Sequence, residues 1–270
     1  MNMKNCRNLL LAAAVLVAAS SCSDKVQVKG TLAGAPDTQV VVKHLSGSTL
    51  VTLDTLKTDA SGAYSCKIDV LKGQPQFVYL FKGDTKIASL LLQKGDKVKV
   101  ASDTLGKYSV EGSEESEKLR QVEEDFAAFM DRFTADAAAG DNAAASKDYI
   151  DCYRSRTRYI MENSKSLTAI PVLYQKINDG FPVFSQATDA ILFQNVHDSL
   201  MTVYPESKYL EALKKEAEKR FNIFNLSQRV QNARESSYPD LTLPSVDGTK
   251  VKLCEVAVKD VLVNFCQAAD

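Results

Sequence analysis

The chain has 270 residues, a formal net charge of −1 and an apolar share of 45%, which fits an ordinary globular protein of one or two domains. Its balanced charge, with no basic stretch interleaved with aromatics, excludes the nucleic-acid-binding classes.

Met1 to Ser21 is expected to be a signal peptide. Lys4 and Arg7 give a positive start, Leu9 to Ala19 an apolar core of eleven residues, and Ala19-Ser20-Ser21 a run of small residues before Cys22. That core is shorter than the roughly 20 apolar residues a membrane-spanning helix needs. Small residues ending on a cysteine resemble a lipobox, in which the thiol of Cys22 receives lipid and becomes the first residue of the mature chain. A plain secretory signal with a chance cysteine is the other reading. With lipid at about 0.8 kcal/mol per buried CH₂, the first reading expects a protein held on an envelope membrane, facing periplasm or cell surface, with residues 22–25 as linker. Removing residues 1–21 takes away Lys4 and Arg7, so the mature charge becomes −1 − 2 = −3. That total implies no electrostatic attraction to a membrane beyond the lipid itself.

Residues 26–112 are expected to form an antiparallel β-sandwich or barrel. Strand patterns at Val26–Leu32, Val40–Leu45, Leu50–Leu56, Ala63–Val70, Gln76–Phe81, Ile87–Leu92, Lys97–Ala101 and Lys107–Glu111 are separated by turn signals such as Ser46-Gly47-Ser48 and Lys94-Gly95-Asp96. The succession V-K-G-T-L, L-D-T-L-K-T-D-A-S-G-A-Y-S-C, L-L-L-Q-K-G-D-K-V-K-V and V-E-G-S-E-E-S-E resembles a small β domain of unknown function. That domain precedes a thioredoxin-like domain in many anchored bacterial envelope proteins.

From Ser113 the apolar period changes from two to about 3.6, and residues 113–236 are expected to be helical. Leu119, Val122, Phe126, Phe129, Met130 and Phe133 make the first stripe, with Ser113 or Ser116 as N-cap and Glu114, Glu115 and Glu117 in the first turn. Gly140-Asp141-Asn142 marks a break. Further helices are expected over Lys147–Asn163, burying Tyr149, Ile150, Tyr153, Ile160 and Met161, and over Ser166–Ile177, Gln186–Tyr204 and Glu206–Arg234.

Chemistry is sparse along this chain. His44 and His197 are too few and too far apart for a zinc site, so no metal and no cofactor is expected. The acids from Glu114 to Asp125 suit a solvated helix start better than an acid–base pair. Arg154, Arg156 and Arg158 point in three directions on a helix. No Ser-His-Asp order, G-x-S-x-G or Walker sequence occurs. Cys6 leaves with the signal and Cys22 takes lipid, leaving Cys66, Cys152, Cys254 and Cys266 in a compartment where disulfides persist. Cys254 and Cys266 are close enough in sequence to bridge; buried free thiols are the equal alternative.

The last segment, residues 237–270, carries Tyr238-Pro239-Asp240, Leu241, Leu243-Pro244, a turn at Asp247-Gly248, Val251, Leu253 and the apolar run Val261-Leu262-Val263-Asn264-Phe265. This resembles the opening of a thioredoxin-like domain of the TlpA/ResA and AhpC/TSA families. The resemblance implies a C-x-x-C pair after the strand, yet no C-x-x-C occurs in the chain. Aligned on that strand, Cys266 falls where a Trp usually follows the Phe, and Asp270 stands at the nucleophile position. Asp cannot attack a disulfide, which leaves Cys254 and Cys266 as weak redox candidates.

These readings describe an α+β multidomain protein with an N-terminal antiparallel β-sandwich-like domain, a helical middle and a fragment of a thioredoxin-like fold. The expected function is that of an envelope lipoprotein related to thiol-disulfide oxidoreductases but without catalysis. The alternative is a non-enzymatic lipoprotein binding a ligand or an envelope protein partner.

Overall fold

In the computed structural model, residues 25–47, 49–232, 241–252 and 255 are described. They divide into two units, residues 1–224 and residues 225–270.

The first unit begins with eight strands, β1 (Lys25–Leu32), β2 (Gln39–Ser46), β3 (Thr49–Lys57), β4 (Ala63–Asp69), β5 (Gln76–Lys82), β6 (Thr85–Leu92), β7 (Lys97–Ser102) and β8 (Tyr108–Glu111). They form two four-stranded sheets, β4-β1-β7-β8 and β3-β2-β5-β6. Every pairing in the second sheet is antiparallel. The first sheet departs from the antiparallel expectation, because β1 and β7 run parallel, with Val28 opposite Val98 and Gly30 opposite Val100. A parallel pair needs a long crossover, and here the whole second sheet lies in it.

Alternation explains how the sheets meet. Val26, Val28, Ile68, Val98 and Val100 project from one sheet onto Val40, Val42, Val78, Leu80 and Leu90 of the other. The opposite face of the first sheet alternates into solvent, whereas β6 is buried at every position from Ile87 to Leu92. It is buried on both sides because a helical layer covers the far face of its sheet. There Phe77 and Leu91 join a second core with Leu119, Val122, Ile160, Phe193, Val196 and Leu213. Each such fully buried side chain stabilises the fold by about 1.5–3 kcal/mol.

The helical layer starts with α1 (Glu114–Ala139), capped by Ser113, whose hydroxyl accepts from Ser116 N–H. Its first turn also closes the open edge of β6. Ser116 Oγ accepts from Leu91 N–H at 3.0 Å and donates to Leu91 C=O at 3.1 Å, standing in for a neighbouring strand. Gly140 (φ 73°) ends α1 and Asp141 caps α2 (Asn142–Glu162), so this helix starts five residues before the expected Lys147. The buried face of α2 is Ala145, Cys152, Arg156 and Ile160, while Ile150 and Met161 face solvent, contrary to the apolar face expected for it.

The helix expected over Ser166–Ile177 is only α3 (Ala169–Leu173). Beyond it, Lys176–Asn178 (β9) pairs with Phe181–Pro182 (β10) around the Asp179-Gly180 turn, and Asn178 Oδ1 accepts from Gly180 N–H at 3.0 Å. A short 3₁₀ turn leads to α4 (Ala190–Met201), and α5 spans Leu210–Asn232. Tyr209, just before α5, accepts from Phe77 N–H at 2.9 Å through its phenol oxygen and ties this helix to β5.

The edge strand β3 is long and exposes apolar side chains. In β3, Leu50, Val51 and Leu53 are each more than 40% exposed. A bulge leaves Leu53 without a partner between the Val42–Asp54 and Lys43–Thr52 pairs, and Asp54 sits beside it. Bulge and charge together discourage another strand from adding there.

In the second unit, Thr242–Pro244 (β11) and Lys250–Lys252 (β12) form an exposed antiparallel hairpin. Its turn is at the expected Asp247-Gly248, with Gly248 at φ 81° and Asp247 Oδ1 accepting from Thr249 N–H.

Candidate functional site

Among the described thiols, neither is built for redox chemistry. Cys66 on β4 lies in the sandwich core, and burial pushes its pKa up to about 11. Cys152 on α2 is also buried, and burial raises it despite the opposing influence of Arg156. Both are free, Cys66 in the sandwich core and Cys152 on the buried face of α2. A nucleophilic cysteine needs the thiolate, which these surroundings suppress near neutral pH. Cys22, Cys254, Cys266 and Asp270 lie outside the described residues.

The histidines stay apart. His44 on β2 has its Nδ1 3.4 Å from Lys208 Nζ, and desolvation with the Lys208 charge lowers its pKa. His197 pairs with its neighbour Asp198 at 2.9 Å. Among the described residues no three His, Cys, Asp or Glu side chains gather where they could hold a metal.

The acids at the start of α1 are matched by cations. Lys118 lies 2.9 Å from Glu114 and 3.0 Å from Glu115, while Arg120 bridges Glu117 at 2.6 Å and Glu124. Glu123 is a structural joint, accepting from Lys86 Nζ at 2.7 Å and from Ser89 Oγ at 2.9 Å of β6. Of the three arginines, Arg156 is buried against the Phe126 ring, 6.0 Å away, with its Nη1 3.5 Å from Val122 C=O. Arg154 and Arg158 line a shallow hollow of about 420 Å³ with Met161 and Glu162 on the other side of α2.

A wider concavity of about 750 Å³ lies on the solvent face of the β4-β1-β7-β8 sheet. Cross-strand register builds it. One row across the sheet reads Ser65, Lys29, Lys99, Glu111, and the next reads Ala63, Thr31, Ala101, Ser109. Small side chains in the second row leave the hollow, while Lys29, Lys57 and Lys99 supply cations around it. Lys57 is held by Asp37 at 3.0 Å. Asp59 at the rim is kept below the usual carboxylate range by hydrogen bonds from the Ser61 hydroxyl and the Ala63 and Ser61 N–H groups. A Cβ on Gly30 in the floor would lie 1.9 Å from Cζ of Tyr64, so a side chain there requires the Tyr64 ring to move.

No aromatic ring stands on the open face of these four strands, so the face offers charge and hydroxyls but no stacking platform. Sequence reasoning missed this surface. Its signal was present in the outward lysines of K-V-Q-V-K and K-V-K-V, but nothing in the chain announces that β1 and β7 are neighbours.

Residues 26–119 match the model of a family described as a domain of unknown function, DUF4369. The match continues past the last sandwich strand to Leu119 of α1. This fits the geometry, since Ser113 and Ser116 complete the β6 edge and Leu119 lies in the second core. No curated protein matches the chain.

Proposed function

We propose that this chain is a lipid-anchored envelope protein that acts by binding rather than by catalysis. Cys22, after a positive start, an apolar core and small residues, is the anchor point. The sandwich is the functional module, and the helical layer braces the sheet that faces away from the binding surface. The observation that carries this reading is the lysine-lined concavity on the open sheet, set against two described thiols that burial keeps protonated. Kinship with thiol-disulfide oxidoreductases rests on the segment from Tyr238 to Asp270. The exposed hairpin around Asp247-Gly248 supports it only at the level of that turn.

Within residues 238–270 no C-x-x-C occurs and Asp270 stands at the expected nucleophile position, which supports binding over thiol exchange by this segment. The protein is therefore expected to reduce insulin disulfides with dithiothreitol no faster than dithiothreitol alone. Reductase activity that Cys254→Ser or Cys266→Ser abolishes would sink the non-catalytic reading.

A further inference from the structure

The open face of the first sheet concentrates cations that the chain total conceals. Lys67, Gln27 and Lys97 form one row across β4, β1 and β7, and Lys29 and Lys99 stand side by side in the next. Like charges directly opposite on one sheet face are destabilising, so their placement works against the fold. Among the described residues, Lys29, Lys67, Lys97 and Lys99 form no ion pair. Asp69 is taken by Lys25 at 3.7 Å, and Glu111 is the one acid in the Lys29–Lys99 row.

These lysines gather toward one end of the sheet. Parallel β1 and β7 both start there, and β4 finishes there, so Lys25, Lys67 and Lys97 mark that end while Thr31, Ala63, Ala101 and Ser109 mark the other. Cys22 is three residues before Lys25. Three links span at most about 11 Å, and the four residues from Lys25 to Lys29 add only about 13 Å along the strand.

We infer that this lysine face docks on the anionic phospholipid surface that carries the anchor, an inference that rests on the lipid-anchored reading of Cys22. The short tether holds the cationic end of the sheet near the headgroups, where each lysine strengthens binding about fivefold. Lipid and basic face then act as two signals. The hydroxyls of Ser65, Thr31 and Ser109 supply donors for headgroup phosphate beside Lys29 and Lys99.

The test uses the chain from residue 22 with Cys22→Ser, the form signal cleavage would leave, without its acyl acceptor. It is sedimented with vesicles of phosphatidylcholine alone and with vesicles containing phosphatidylglycerol. Binding is expected only to the anionic vesicles, weakening with added salt. The combined variant Lys29→Gln, Lys67→Gln, Lys97→Gln, Lys99→Gln is expected to weaken it by nearly three orders of magnitude, about 600-fold, and the matching arginine variant to keep it. All four side chains are exposed, and unchanged thermal unfolding of both variants checks that the fold is intact. Equal behaviour on both vesicle types, binding unchanged in the glutamine variant, or release by millimolar inorganic phosphate at constant ionic strength would overturn the inference, the last by pointing to a free-anion pocket. If Cys22 carries no acyl chain in cells, the anchor reading fails by itself, whatever the vesicles show.

Discussion

Gly112→Ala is expected to destabilise the first unit by about 3 kcal/mol or more. Gly112 links β8, in one sheet, to α1, which packs on the other. It sits at φ 81°, a left-handed conformation that costs an L-residue about 1 kcal/mol. Conformation is the smaller part. A Cβ there would lie 2.0 Å from the carbonyl oxygen of Lys97 and 3.0 Å from its carbonyl carbon, and backbone cannot swing aside as a side chain does. Either β8 leaves β7, or α1 shifts and Ser116 loses its two hydrogen bonds to Leu91. Gly140→Ala is the control, because Gly140 has a similar φ of 73° but nothing within 4 Å of its added Cβ. Thermal unfolding should show a loss several times larger for Gly112→Ala. Equal losses would mean that backbone conformation alone matters and that the β8–α1 junction is soft.

Alkali should unfold the protein cooperatively. Burial pushes Cys66 up to about 11 and Tyr64 and Tyr209 up to about 12, from ordinary values of 9.0 and 10.0. Tyr79 and Tyr108 are raised as well, first by burial and then by the charge of Glu123. A group whose pKa is raised in the fold keeps its proton longer there than in the unfolded chain. Its stabilisation is complete below the unfolded pKa and is lost as pH rises toward the folded one. The window therefore opens near 9 for the thiol and near 10 for the phenols. Cys66, Tyr64 and Tyr209, all deeply buried, each withdraw on the order of 2 kcal/mol by the top of it. Their sum is comparable to the total stability of about 5–15 kcal/mol typical of a folded domain. Far-ultraviolet dichroism and phenolate absorbance followed against pH should change together between about pH 10 and 12. Phenols that ionise one by one near 10 with the dichroism intact would show that they are not buried as described.

Legibility in the sequence followed the range of the interactions. All eight strands of the sandwich, a serine cap at Ser113 or Ser116 and the Gly140 break could be read from period and punctuation, because each is decided within a few residues; the structure selects Ser113 as the cap. The parallel pairing of β1 and β7 could not, since it joins segments about 70 residues apart and leaves no local mark. That pairing sets Lys29 beside Lys99, so the basic face was hidden with it. The burial of β6 on both faces comes from its contact with α1, a long-range fact with no local mark. The helix expected over Ser166–Ile177 overruns into β9 at Lys176 and Ile177, where the Asn178-Asp179-Gly180 turn prevails and folds the stretch back on Phe181. On α2, Arg156 occupies a buried position that an apolar pattern assigns to no charged residue, which rotated the expected face onto Ile150 and Met161.

Intact-mass measurement of the protein recovered from a membrane fraction tests the central claim most directly. A mature chain that begins at Cys22 and carries the mass of attached acyl groups, lost together with membrane association in Cys22→Ala, is the expected result. An unmodified chain, cleaved or uncleaved, that associates with the membrane to the same extent with and without Cys22 would contradict it.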